Sequence, residues 1–160
     1  LREKHGYSYG AFSFIREDRG VGPLIVGSMV RGNVTGPSLR EMMKEVAGMN
    51  AREISPAELT LARESISRSL PALFQTAGST VGTVAQIYLN DQPLDYYESL
   101  PGRLASMSAT DVFEATRRHL RPEEMRVIAV GDRRVIEPQL RALSMGSIEF
   151  RDADGRPIRP

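Results

Sequence analysis

Residues 1–15 read LREKHGYSYGAFSFI. A charged, helix-like turn passes at once into an alternating aromatic strand, and the element that follows decides the architecture. From Tyr7 to Ile15 and again from Leu24 to Val30, aromatic and β-branched residues recur at strand spacing. The charged, glycine-rich turn REDRGVGP (16–23) separates them. Two such runs around a turn predict a β-hairpin.

Helices follow. GPSLREMMKEVAGM (36–49) places Pro37 near a helix start, Ser38 three residues before Glu41, and Leu39, Met42, Met43 and Val46 on one stripe, so a helix is expected to end near Gly48. In ISPAELTLARESISRSLPALF (54–74), Ser55, Pro56 and Glu58 form a serine cap, a first-turn proline and a glutamate three residues after the cap. Pro71 is expected to kink or end that helix. Further helices are expected from about Thr80 to Leu89, from Asp95 to about Met107 with a break at Pro101, and from Ala109 to Leu120 behind a Ser108 cap. EMRVIAVG (124–131) reads as a strand, Pro138 as lying near the start of a short helix, and SIEF (147–150) as a last strand. RDADGRPIRP (151–160) reads as a frayed end. Strands, then helices, then strands predict an α+β fold, a mainly antiparallel sheet packed against several helices, in one domain over 1–160.

Composition narrows the chemistry. The 160 residues are 41% apolar, enough for one real core, and the formal net charge is +1. No polybasic patch calls for nucleic acid, and no apolar run approaches the roughly 18 residues that span a bilayer. Lysine occurs only at 4 and 44, so the positive charge is nearly all arginine. Cysteine is absent, which removes disulfides, thiolate nucleophiles and finger-type zinc sites. The two histidines, His5 and His119, have no second histidine at helical spacing, so no metal site is expected in this chain. His119, in RRHL, reads as a charge at a helix C-terminus. No Gly-x-Ser-x-Gly elbow occurs. The glycines of GVGPLIVG (20–27) precede a strand instead of opening a helix, and VIAVGDRR (127–134), around Gly131 and Asp132, has the strand-to-helix order of a nucleotide-binding turn without the glycine fingerprint. Glu123 and Glu124 read as solvated surface.

Arg2 and Tyr9 remain. A guanidinium can bind a peptide carbonyl through several donors, and a phenol can donate to a developing oxyanion. Spacing alone leaves the plainer alternatives open, a helix-end arginine and an aromatic on a strand face.

LREKHGYSYG (1–10) closely resembles the arginine and tyrosine motif in the second homologous domain of the pitrilysin/insulinase-type zinc metallopeptidases, which include mitochondrial processing peptidase. The pattern is Leu-Arg, two to three charged residues, Gly, two residues, then Tyr entering a strand; Leu1, Arg2, Gly6 and Tyr9 fall on it. ISPAELTLARESI (54–66) resembles that family's helix opening, residues 92–120 its paired C-terminal helices, and RVIAVGD (126–132) its closing strand. The resemblance implies a metallopeptidase-half fold of the mitochondrial processing peptidase kind. It further implies a non-catalytic, substrate-binding domain of a zinc-dependent metalloendopeptidase that cleaves peptides. Its zinc would be held by an H-x-x-E-H motif on a partner domain or subunit, with no cofactor in this chain. Arg2 would clamp the peptide backbone, and Tyr9 would be the donor on the oxyanion side of the tetrahedral intermediate. The alternative is a structural or assembly module of the same fold. Family domains carry a strand and a helix before this motif, so the chain is expected to be the larger C-terminal part of such a domain and to pair as a homodimer when alone. Analogy with exported bacterial relatives favours the periplasm.

Overall fold

The computed structural model describes residues 1–16, 20 and 22–158, with Arg2 and Glu3 as backbone only. The tip of the turn at 17–19 and 21, and residues 159–160, lie outside the described residues. The elements in order are α1 (Arg2–His5), β1 (Ser8–Ile15), β2 (Leu24–Val30), α2 (Thr35–Ala51), α3 (Pro56–Ser69), α4 (Ala77–Leu89), α5 (Tyr96–Ser106), α6 (Ala109–His119) and α7 (Arg133–Arg141). Short 3-10 turns occupy Gly32–Val34, Leu70–Phe74 and Pro122–Glu124. The chain divides into two compact units: Leu1–Phe12, Gly27–Lys44 and Arg126–Pro160 form the first, Ser13–Val26 and Glu45–Met125 the second.

In the first unit the base of the β1–β2 hairpin is closed by Arg31 N donating to Tyr7 O at 3.4 Å, and Ser28 Oγ donates to Gly10 O at 2.7 Å. Phe12 lies over Gly27 so closely that a Cβ there would stand 2.5 Å from the ring. Glycine at 27 gives the aromatic ring its seat. Gln139 of α7 acts as a clamp: its Nε2 donates to Gly32 O and Val135 O, each at 2.8 Å, while its Oε1 accepts from Gly36 N at 3.0 Å. One amide side chain thereby satisfies Gly36 N, a first-turn donor of α2 with no helical partner, and ties α7 to Gly32 O, which also accepts from Thr35. Ile136 is buried on the same helix. On the outer side Arg133 and Arg141 both grip Glu137 at 2.7 Å, and the Arg133 guanidinium stands 3.7 Å from the centre of the Phe150 ring.

The second unit is helical. Ser55 and Glu58 at α3, Thr76 and Ser79 at α4, and Ser108 and Asp111 at α6 form three reciprocal capping boxes. Asn50, near the end of α2, donates to Leu120 O at 2.8 Å beyond the end of α6, beside the buried Leu120. Buried Thr83 donates to Leu73 O at 3.2 Å, fastening the 3-10 turn to α4. Phe74 meets Tyr97 edge-on at 5.6 Å. Val46 and Ile87 complete the buried apolar side chains of this unit.

The hairpin, the α3 cap, the helix end before Pro71 and the α6 cap lie where the sequence predicts. Other expectations change. The fold is α+β, but helix-rich: the described sheet has only two antiparallel strands, β1 and β2. The expected strands at 124–131 and 147–150 form no ladder among the described residues, because β-branched spacing supplies a strand's faces and not its hydrogen-bonding neighbour. α2 runs through Gly48 to Ala51 and begins ahead of Ser38, which is buried inside it instead of capping it. α4 starts at Ala77 because Thr76, rather than a later residue, makes the cap. Pro101 does not break α5, and Pro138 lies in the second half of α7 and not near its start; each sits on the exposed side of a continuous helix that tolerates the one lost amide donor. The end is not frayed through residue 158: Arg151 bridges Pro157, Asp152 N donates to Arg156 O at 3.0 Å, and Gly155 takes a φ of 77° to turn the chain.

Candidate functional site

Arg2 opens the single turn of α1, and Tyr9 is the second residue of β1. Both belong to the first unit. Between them Gly6 takes a φ of 61°, a left-handed conformation that ends the turn and that a side chain would strain. Tyr7 N then donates to Leu1 O at 3.1 Å, while Tyr7 O accepts from Arg31 N. The backbone of 1–7 is thus closed on itself and tied to β2. The Tyr9 side chain is 88% exposed on the strand.

Two side chains that residue patterns leave unremarked surround this turn. His5 stacks on Tyr7, with ring centroids 4.9 Å apart and planes 19° from parallel. Its Nε2 is buried without a hydrogen bond and stands 3.8 Å from Glu41 Oε2 on α2. Lys44 Nζ approaches the same carboxylate oxygen at 3.9 Å. No signal along the chain links His5 to Glu41. Only the packing of α2 does so.

Elsewhere the sites weighed from sequence resolve into structure. Asp132 is the N-cap of α7: its carboxylate accepts from Arg134 N at 3.0 Å and pairs with the Arg134 guanidinium at 2.9 Å. That hydrogen bonding holds its carboxyl below the usual aspartate range. A carboxylate already occupies the helix start where a nucleotide phosphate would sit. His119 ends α6 together with Arg117 and Arg118, a cationic last turn. Glu124 pairs with Arg121 at 3.4 Å. An open groove of about 270 Å³ in the second unit is lined by Arg63, Glu64, Ser67, Arg68, Pro101 and Ala105. Among the described residues no three histidine, aspartate or glutamate side chains cluster to hold a metal, and no helix is long and apolar enough to cross a membrane.

A solved structure decides the fold. It is the crystal structure of a peptidase M16 inactive domain from Pseudomonas fluorescens, which superposes on 76% of this chain with a TM-score of 0.66 and 21% identity. The two share a fold. This chain spans only 29% of that protein's length. No family model matches the sequence, and neither does any curated protein.

Proposed function

We propose that this chain is a non-catalytic, substrate-binding domain of the peptidase M16 kind, the pitrilysin/insulinase type, working beside a zinc-bearing homologous domain or subunit. The observation that carries the reading is agreement between two independent comparisons. The residue pattern around Arg2 and Tyr9 resembles the second, non-zinc domain of these enzymes, and the fold is that of a protein described as an inactive domain of the same peptidase class.

In this reading the zinc belongs to the partner domain or subunit, and this chain, with two histidines and no cysteine, brings hydrogen-bond donors. Arg2 holds the carbonyl groups of an extended peptide, using the fork of donors that distinguishes arginine from lysine. Tyr9 offers its phenol hydroxyl to the oxygen on which charge develops during peptide cleavage.

The test uses the assembled enzyme. A photo-crosslinking amino acid placed at Ala11, two residues from Tyr9 and on the same face of β1, is expected to capture bound peptide. Capture only of the neighbouring subunit, with none of peptide, would favour the assembly module instead.

A further inference from the structure

A buried imidazole nitrogen without a hydrogen bond is costly, and the cost calls for a reason. His5 Nε2 is such an atom. His5 is the last residue of the turn that begins at Arg2 and stands next to Gly6, whose φ of 61° redirects the chain into β1. One face of its ring rests on Tyr7, and its buried nitrogen is aimed at the Glu41 carboxylate of α2 at 3.8 Å. The side chains of His5 and Glu41 are only 25% and 26% exposed. This contact joins residues 36 positions apart.

Tyr7 is the last residue before β1, and its carbonyl accepts from Arg31 N, so the chain enters the strand two residues ahead of Tyr9 at a point fixed on both sides. Anchoring the Tyr7 ring against His5 therefore sets where β1 begins. Anchoring His5 against Glu41 sets the position of the turn that carries Arg2. The geometry points to His5 and Glu41 as positioning residues: together they hold the backbone turn that fixes where Arg2 is presented relative to Tyr9. The Glu41 carboxylate attracts the imidazole most when the ring carries its second proton, and Lys44, 3.9 Å from the same oxygen, competes for it. This assignment deepens the substrate-binding reading and rests on it for its purpose, though not for its geometry.

The chain itself supports the test. Nuclear magnetic resonance signals of the Arg2 Nε–Hε group and the Tyr9 ring are followed in Glu41→Gln, His5→Phe and the double variant. His5→Phe keeps a ring against Tyr7 and removes the group that faces Glu41. Glu41→Gln is expected to shift both the Arg2 and the Tyr9 signals while amide signals of α3 to α6 stay in place. In the His5→Phe background the same change should have no further effect. A role in stability alone would lower the unfolding temperature without moving these two signals, and that result would overturn the assignment. So would a Glu41→Gln shift of equal size in both backgrounds. Should His5→Phe fail to fold, Glu41→Gln alone decides, since unmoved Arg2 and Tyr9 signals reject the coupling. Loss of peptide capture by the assembled enzyme would instead sink the substrate-binding reading and leave the coupling intact.

Discussion

Tyr9, 88% exposed on β1, carries the most direct test of the proposed reading. On that reading Tyr9→Phe in the assembled enzyme removes one donor aimed at developing charge, and turnover is expected to fall on the order of 100-fold, the usual loss for one such donor. Circular dichroism of the variant should match the parent. An unchanged rate would remove Tyr9 from the chemistry. Arg2→Ala should weaken peptide binding as well, because several donors leave at once. Both residue types at this spacing are legible in the sequence. His5 and Glu41 are not, since their relation exists only once α2 has packed beside the turn.

At the scale of elements, the three capping boxes make an internal experiment. The Ser55 hydroxyl, then its backbone amide, holds the Glu58 carboxyl below the ordinary glutamate range, and Ser108 does the same for Asp111. A carboxyl with a lowered value in the folded chain contributes stability that is complete above its unfolded value. That contribution fades as pH falls through the folded one. The first turns of α3 and α6 should therefore loosen in acid. The α4 box pairs Thr76 with Ser79, neither of which titrates, so its first turn should hold. Amide exchange at residues 57–59 and 109–112, compared with 77–80, reads the difference. Equal acid sensitivity at all three would reject it. Ser55→Ala should cost about 1 kcal/mol of stability, the usual loss of a cap.

The Gln139 clamp belongs to the same scale and carries a second prediction. Gln139→Ala deletes three hydrogen bonds to the backbone and leaves Gly36 N to find another partner, while Gly32 O keeps its bonds from Thr35. A loss of about 1–3 kcal/mol is expected in urea unfolding. Gly36→Ala should act in the same direction, because its new Cβ would lie 3.0 Å from Gln139 Cβ and 3.3 Å from Gln139 O. A neutral pair of variants would show that the clamp is dispensable. Caps such as Ser55 and Ser108 are readable from a few neighbouring residues because their bonds are local. The Gln139 clamp spans 103 positions to Gly36, and no local rule marks it.

For the molecule as a whole, the exposed apolar surface is the feature with consequences. Ile128 is 90% and Val130 95% exposed, in a stretch of strand-forming residues that makes no ladder among the described residues. Such stretches recruit strands, and large apolar side chains are seldom left in water. Purified at high concentration, the chain is expected to self-associate, and Ile128→Lys with Val130→Lys should reduce that association. Light scattering measures both. A monomer across the accessible concentration range would show that this surface is tolerated.

The sequence by itself determined the elements whose causes are local: the hairpin around its turn, the Ser55 and Ser108 caps, the stop before Pro71, and the Arg2–Gly6–Tyr9 pattern. Each rests on backbone preference or on hydrogen bonds across three or four residues. Tertiary structure alone decided that α2 passes Gly48, that α5 and α7 run through their prolines, that 126–130 forms no ladder among the described residues, and that His5 meets Glu41. These depend on which surfaces meet after collapse. A strand in particular is made by its neighbour, and a chain's periodicity names the face that will be buried without naming what will lie against its edge.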